Sequence, residues 1–502
     1  MKKNLLCMSV ILIIFLTIVF GSSVTPAQER ELVTIEDRGT YFNVVLDYRG
    51  GASHREVGEE LGRKILEVLP NYEEILDSAL LEMSYMAAGG NPQLIEYAYQ
   101  QLLSRTEDIK EQLHQEYKDE LEGMASQFSG QESNIVGDGK LSIDEVFMLN
   151  LMPDIIRESS CSFLAVYGPR SATGSTLMAK LFDWNPGSQN QLSEIQAVTT
   201  YLQGEKSICV VGLLGWMIGS NGINKHGIFV GALDSGTGGP YSSSGKRSYS
   251  FDARYALENF DTLDAVLEYL SDPEKSYTYS HNYAAIDSTT AKVLENNVDN
   301  PALRMIRTEE SELAPGINWE LDNSIAAVNC FVLAGNYTNG FWWAGNSSRW
   351  NSYHTQLAAK GDTVTFEDMK EIASYFTGSA PGRMEDGDIY NQGTQQAIIL
   401  DPKNFRMEVY FRPKGMGPLP LEPTFEVIEI DFGDDDSEDE NGLDEPEPGQ
   451  PTDPEQEPKE PADSDPVPPL PSTSGSTATI FLAGLILLTA TGATLITRKL
   501  NI

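Results

Sequence analysis

Cysteine, histidine and basic residues are all scarce in this sequence. Its 502 residues include four cysteines and five histidines, and 35 Lys or Arg stand against 74 Asp or Glu, which gives a formal net charge of −39. Such a chain is repelled by phosphate, which argues against nucleic acid as a partner. No histidine lies in a recognisable Cys-His protease signature. A cysteine nucleophile in this chain would therefore use a base other than imidazole.

Both ends of the chain have the pattern of targeting segments. Residues 1–27 contain two lysines, a short apolar core and small residues near the end, which predicts a secretory signal peptide. Residues 476–502 contain about 19 mainly apolar residues followed by Arg498 and Lys499, which predicts a transmembrane anchor with the rest of the chain on the extracellular face. The preceding "LPSTSG" resembles a sortase signal with Ser474 in place of its glycine, so cell-wall attachment is the alternative.

The segment before this anchor is acidic and rich in proline. Residues 431–465 hold sixteen Asp or Glu and one lysine, Lys459. Such a segment repels itself and has too little apolar surface to fold, so residues 431–475 are predicted to form an extended stalk. Residues 28–430 are rich enough in apolar side chains for one large domain or two smaller ones.

The three cysteines that follow the signal peptide do not form an even set. Outside the cell an odd number implies at least one free thiol or an intermolecular bridge. Cys209 in "SICVVGLL" and Cys330 in "AAVNCFVLAG" lie in apolar, strand-like runs, where cysteine is typically a small buried hydrophobic residue. Cys161 remains as the candidate for chemistry.

The pattern of apolar residues changes at Cys161. From about Arg55 to Leu151 apolar positions recur at a spacing of three and four, which predicts that residues 28–160 form a helical leader. Residues 161–430 consist of short apolar runs bounded by Gly, Asn, Ser and Asp, with two helical segments, which predicts a body of antiparallel sheets and an α+β class.

Upstream of Cys161, the segment "NIVGDGKLSIDEV" resembles a calcium-binding loop. Val136 occupies a ligand position there, so we expect a turn before a helix instead.

A set of short motifs resembles the cysteine-type N-terminal nucleophile (Ntn) hydrolases. The resemblance is strongest to the autoproteolytic acyltransferase/hydrolase group (peptidase family C45) that includes penicillin-forming acyl-coenzyme A acyltransferases. Choloylglycine hydrolases, penicillin V acylases and phospholipase B-like proteins are more distant. The motifs, in chain order, are "GASHREVGEELGRKI", "LSIDEVFMLNLMPDI", the strand at Cys161, "AKLFDW", "GWMIGSNGINKHGIFV", "HNYAAIDSTTAKVLE", "VLAGNYTNG" and "GNSSRW". The resemblance implies a four-layer αββα sandwich with the leader beside it.

The resemblance also implies a mechanism and a set of site residues. In that family the leader is cut off, the exposed cysteine provides the thiol nucleophile, and its own α-amine, with a pKa near ~8, acts as the base. Carried over to this sequence, Cys161 is the nucleophile and the four supporting residues are Asp183, which holds the amine; Asn224, an oxyanion donor; Asn336, the family's second asparagine; and Arg349, which steadies the site. Lys180 stands where the family often has arginine, and Tyr337 where it has histidine.

These expectations leave several functions open. The first is a surface amidase or acyltransferase that forms an acyl-thioester on Cys161 of a small-molecule amide substrate. The second is a phospholipase B-like esterase of the same fold, and the third is a catalytically silent surface binding protein. No metal or organic cofactor is implied. After cleavage the leader could remain bound as one chain of a heterodimer.

Overall fold

The computed structural model describes residues 30–157, 160–236, 239–336, 340–343 and 345–433. The predicted signal peptide and membrane anchor, and nearly all of the predicted stalk, lie outside these residues. Within the described part, no helix has both the length and the apolar character needed to cross a membrane. The described residues belong to one compact unit.

A nine-stranded sheet forms the larger layer of the body. Its neighbouring strands are antiparallel except for one parallel pair, β2 with β5. In spatial order its strands are β1 (Val33–Asp37), β2 (Phe42–Asp47), β5 (Gln196–Leu202), β6 (Ile208–Leu213), β7 (Asn221–Asn224), β8 (Phe229–Asp234), β9 (His281–Ile286), β10 (Ala291–Asn296) and β11 (Met305–Arg307).

A six-stranded antiparallel sheet forms the smaller layer and begins at the candidate nucleophile. Its strands in spatial order are β12 (Ser324–Ala327), β3 (Ser160–Val166), β4 (Leu177–Asp183), β13 (Thr394–Asp401), β14 (Arg406–Phe411) and β15 (Phe425–Ile428). In the β3–β4 pair, Ser160 lies opposite Asp183 and Cys161 opposite Phe182. Because side chains alternate between the faces of a strand, this register places Cys161 and Asp183 on opposite faces of the sheet.

Two apolar cores separate the layers. Cys161, Phe163 and Ala165 of β3 belong to the core that contains the nine-stranded sheet, whereas Leu164 and Val166 pack with Trp350 and Tyr353 on the other side. Helices pack against both sheets from outside. On the small sheet these are α9 (Asn346–Ala359) and α10 (Phe366–Ala373), and on the large sheet α7 (Tyr249–Asn259) and α8 (Leu263–Ser271). The predicted α+β class and αββα sandwich are confirmed.

The leader is helical only in part, which corrects the prediction for residues 28–160. It contains α1 (His54–Val68), α2 (Tyr72–Ala87), α3 (Ile95–Lys110), α4 (Gln115–Ala125), α5 (Ile143–Asn150) and α6 (Met152–Ile155). Before these helices, however, β1 and β2 join the large sheet, and β2 pairs with β5 of the body. The alternating, β-branched runs "VTIED" and "FNVVLD" favour strands over helices. The leader is therefore built into the sandwich.

Close packing of α1 on α4 explains the glycine spacing of the first motif. A Cβ atom added to Gly58 would lie 2.2 Å from the backbone oxygen of Glu120, and one added to Gly62 would lie 2.5 Å from that of Met124. On the other helix, a Cβ atom added to Gly123 would lie 2.4 Å from the backbone oxygen of Arg55. These contacts require glycine because any side chain would push the helices apart.

The segment before α5 is a turn, as expected. The backbone N–H groups of Gly137 and Gly139 in this turn donate hydrogen bonds to Asp77 of α2.

Candidate functional site

Cys161 is the second residue of β3 and lies at the border between the leader and the body. Its side chain faces the large sheet and is 2% exposed. A side chain with so little exposure gives a substrate in solution no direct access to the thiol.

The backbone of Cys161 is fixed at both of its polar atoms by side chains from outside its strand. Its N–H donates to Oδ1 of Asn329, at 2.8 Å. Its carbonyl oxygen accepts from a terminal nitrogen of Arg349, at 3.0 Å. Arg349 also donates to Oδ1 of Asn329, at 2.8 Å, so the three residues form a closed set of hydrogen bonds.

Arg349 is a buried cation that joins this set to Asp183. It is fully buried on α9, and one terminal nitrogen lies 3.2 Å from Oδ2 of Asp183. The other carboxylate oxygen of Asp183 accepts from the hydroxyl of Thr394, at 2.8 Å. Burial raises the pKa of Asp183 above its usual value, and the charge of Arg349 opposes that rise. The structure thus brings three of the predicted residues together: Cys161, Asp183 and Arg349.

Lys180 shares the inner face of the small sheet with Cys161. It is fully buried, and its Nζ donates to the backbone oxygen of Leu181, at 3.2 Å. Strand β8 of the large sheet faces Lys180 with a glycine, Gly231. A Cβ atom added to Gly231 would lie 3.2 Å from Cε of Lys180. Burial raises the pKa of the Cys161 thiol, and the positive charge of Lys180 acts in the opposite direction. Lys180 therefore favours the thiolate form of Cys161. The sequence indicated only that a lysine stands here in place of the family's arginine.

The other two predicted residues have partners elsewhere. Both amide hydrogens of Asn224 go to backbone oxygens, those of Leu257 and Phe260, so its side chain has no donor left for an oxyanion. Asn336 donates to Glu295 and accepts from Asn297, in a buried polar cluster at the end of β10. The structure does not join either asparagine to Cys161 by a hydrogen bond among the described residues.

Asn329 is the site asparagine that the sequence argument missed. It follows β12 by two residues and is the acceptor for both the Cys161 N–H and Arg349. Its own amide donates to the backbone oxygen of Asp234, at 2.8 Å. In the sequence Asn329 comes directly after the apolar run "SIAAV", which could have identified it as a site residue. Asn336, seven residues later, also follows an apolar run, so the sequence alone does not distinguish the two. Only the packing of β12 beside β3 distinguishes the two.

Among the described residues, neither the other two thiols nor the potential metal ligands indicate a second reactive or metal-binding site. Cys161, Cys209 and Cys330 are all unpaired and buried. Burial raises the pKa of Cys209 to about 12, so this thiol stays protonated at neutral pH. The part of the chain that the structure describes contains no group of His, Cys, Asp and Glu suited to hold a metal ion.

Comparison with known proteins gives only distant likenesses. No family model matches the chain, and no curated protein matches it. Among solved structures it is similar to the N-acylethanolamine-hydrolyzing acid amidase ortholog of Caenorhabditis elegans, with 14% identity over 50% of this chain and 100% of that one and a TM-score of 0.37. A mutant conjugated bile acid hydrolase from Clostridium perfringens has 14% identity over 54% of this chain and 97% of that one, with a TM-score of 0.31. Penicillin V acylase from Agrobacterium tumefaciens has 12% identity over 50% of this chain and 83% of that one, with a TM-score of 0.30.

Proposed function

We propose that this protein is an autoproteolytic cysteine amidohydrolase in which the Cys161 thiol attacks an amide carbonyl and holds the acyl group as a thioester. The observation that carries the proposal is the fixation of the Cys161 backbone at both polar atoms, by Asn329 and Arg349, beside a buried carboxylate. A core cysteine needs no such set of charged and amide groups around its backbone. A nucleophile that must stay in place when its own peptide bond is cut does need them.

The base in this proposal is the α-amine of Cys161. In the uncut chain that nitrogen is an amide and binds no proton, whereas burial raises the pKa of the thiol, so the thiolate is scarce. Cleavage before Cys161 creates an amine with a pKa near ~8, which can take the thiol proton. We assign Asp183, which lies opposite Ser160 in the β3–β4 register, to hold the resulting ammonium group.

We assign the stabilisation of the developing oxyanion to Asn329 in place of Asn224 or Asn336. Its Nδ2 donates one hydrogen to the backbone of Asp234, and an amide carries two. Among the described residues the second hydrogen has no acceptor, so in this proposal it serves a negative oxygen next to the thiol. Removal of one such donor typically lowers the rate by about 10²–10³-fold.

A substrate panel tests the activity and separates hydrolysis from transfer. The purified protein is incubated with p-nitroanilides of acyl groups that differ in length and charge, with and without hydroxylamine as an acceptor. We expect release of p-nitroaniline from at least one of them, and formation of a hydroxamate if the thioester passes its acyl group to an amine. The Cys161→Ala protein should release none. Turnover that survives in Cys161→Ala would place the chemistry elsewhere.

We also propose that the leader stays bound after cleavage as the smaller chain of a heterodimer. Support comes from buried contacts between the two parts. Arg254 of the body and Glu120 of the leader, both fully buried, make two hydrogen bonds of 2.6 and 2.8 Å. Trp216 donates to the backbone oxygen of Leu149, at 2.7 Å, and Tyr72 to that of Leu214, at 2.8 Å. Release of the leader would remove these buried hydrogen bonds and open the large sheet at β5.

The proposed location is the outer face of the cell membrane, because a predicted signal peptide and a predicted C-terminal anchor enclose the folded part. We expect a protein that ends at residue 475 to be secreted in soluble form with its activity intact, since the proposed site lies wholly within residues 30–433. The measurement is the distribution of activity between membrane and medium. Membrane association of this truncated protein after a high-salt wash would contradict the anchor assignment.

A further inference from the structure

Asp234, the last residue of β8, is a buried carboxylate whose charge is paired by the leader. Its Oδ2 lies 2.7 Å from Nε of Arg157, and a terminal nitrogen of Arg157 donates to the backbone oxygen of Ser235. Asp234 is 8% exposed and the side chain of Arg157 is 29% exposed, so this ion pair is largely buried. Arg157 precedes Ser160 by three residues. It therefore belongs to the acyl side of the bond that the proposed cleavage breaks.

This ion pair adjoins the proposed site. The backbone oxygen of Asp234 accepts from Nδ2 of Asn329, whose Oδ1 accepts from the Cys161 N–H. One side chain thus separates Asp234 from the backbone of the nucleophile. Strand β8 also packs directly on β3. A group bound at Asp234 would therefore be linked to the Cys161 backbone through Asn329.

The polar atoms around this ion pair are incompletely satisfied. Oδ1 of Asp234 and the hydroxyl oxygen of Ser235 are buried, and neither has a hydrogen-bond partner among the described residues. Buried polar atoms without partners are rare because each one carries a desolvation penalty. Two such atoms on consecutive residues, one of them an oxygen of the Asp234 carboxylate, point to a donor group that the described residues do not supply.

Electrostatics favours a cation as that group. Burial raises the pKa of Asp234 to about 6 even with Arg157 beside it. If the end of the leader moves away after cleavage, Asp234 loses its counter-charge, and its carboxyl then either takes up a proton or binds another cation. A guanidinium or ammonium group that enters in place of Arg157 keeps this carboxylate ionised and paired.

We propose that Asp234 determines specificity in the processed enzyme by binding a positively charged group on the acyl side of the substrate amide, in the place that Arg157 occupies in the uncut chain. The substrate class is thus amides whose acyl part carries a guanidinium or ammonium group, spaced from the carbonyl by up to about 10 Å, the length of three extended residues. This inference rests on the proposed function, because it assigns the acyl side from the direction of the self-cleavage.

A matched pair of substrates tests the inference by turnover. The two probes are acetyl-Arg-Glu-Ser-Ser-p-nitroanilide, which copies residues 157–160, and the same peptide with citrulline, which has the shape of arginine without its charge. We expect the two-chain protein to prefer the arginine peptide in kcat/KM by about tenfold or more, the lower end of coupling for close charge pairs. In Asp234→Asn this ratio should fall to about one. An equal ratio in wild type and Asp234→Asn overturns the inference.

Binding to the uncut chain provides a test that does not depend on turnover. The Arg157→Gln change in the Cys161→Ala protein removes the internal cation and prevents cleavage. Calorimetry should show N-acetylarginine methylamide binding at least about tenfold more tightly than its citrulline counterpart, and addition of Asp234→Asn should abolish the difference. If this selectivity holds but no amide is ever cleaved, the proposed function fails and the cation site stands. If both peptides are cleaved equally and bind equally, the cation site fails and the proposed function stands.

Discussion

Purified protein is expected to consist of two chains, and N-terminal sequencing of the larger one should read Cys-Ser-Phe. The predicted leader ends at the Ser160–Cys161 bond, which lies between the first two residues of β3. Cys161 is the residue there whose backbone nitrogen and oxygen are both held by Asn329 and Arg349. The next hydroxyl along the strand, that of Ser162, faces the other core and is bonded to the Tyr353 hydroxyl at 2.9 Å. We therefore expect the thiol of Cys161 to make the attack.

The expected reaction needs only water in addition to the chain. The sulfur of Cys161 forms a bond to the carbonyl carbon of Ser160, the bond from that carbon to the Cys161 nitrogen breaks, and the thiol proton passes to the nitrogen. The product is a thioester with a free amine. Water then attacks the thioester, which restores the thiol and leaves a carboxylate on Ser160. Each later turnover repeats these steps with a substrate amide in place of the chain's own bond.

Two cysteine variants make this prediction specific. Cys161→Ala should remain a single, inactive chain because no other group replaces the sulfur. Cys209→Ala is the matched control. Its thiol lies fully buried in β6, so this variant should be cleaved like the wild type. A wild-type protein that stays in one chain and still hydrolyses amides would refute the N-terminal nucleophile mechanism and require another base.

Replacing Arg349 with methionine is expected to abolish self-cleavage and to lower the free energy of unfolding by about 3–5 kcal/mol, the range for removing one partner of a buried ion pair. The change leaves the Asp183 carboxylate buried without its cation and removes hydrogen bonds to Cys161 and Asn329. Urea unfolding in the Cys161→Ala background measures the effect, because every protein compared is then one chain. Gel analysis of the Arg349→Met protein with Cys161 intact measures cleavage.

The pH dependence of that loss has a definite sign. Burial already raises the pKa of Asp183, and removal of Arg349 removes the main opposing influence. A carboxyl whose pKa is higher in the folded than in the unfolded protein favours folding below its unfolded pKa and loses that contribution as the pH rises through its folded pKa. The destabilisation by Arg349→Met should therefore be smaller near about pH 4 than at pH 7. A loss that is the same at both pH values would show that the carboxylate is not its cause.

Two further variants separate charge from packing. Arg383 is exposed, with 74% of its side chain accessible, so Arg383→Met should change stability by no more than about 0.5 kcal/mol. Adding Asp183→Asn to Arg349→Met removes the unpaired charge and should recover part of the stability without restoring cleavage. If Arg349→Met is no more destabilising than Arg383→Met, the buried ion pair has no role in holding the site.

The position of the candidate nucleophile could be predicted from local information. An apolar run that starts at a cysteine, after a long segment of helical periodicity, identifies β3 and its first residues, and "AKLFDW" identifies its neighbour β4. Cys209 and Cys330 were predicted to be core residues for the same local reason, and both are buried. Such features depend on side-chain alternation and on burial, which neighbouring residues in the chain already express.

The choice among the asparagines and the role of the leader's first strands depended on the tertiary structure. Asn329 and Asn336 both follow apolar runs, yet only Asn329 reaches Cys161, because β12 pairs with β3 and α9 brings Arg349 between them. The parallel pairing of β2 with β5 joins segments about 150 residues apart. By itself the sequence determined the helices from His54 onward, the strand that holds Cys161 and its neighbour β4. Which distant polar groups surround that thiol was decided only by packing, since hydrogen-bond partners far apart in the chain leave no periodic signal within it.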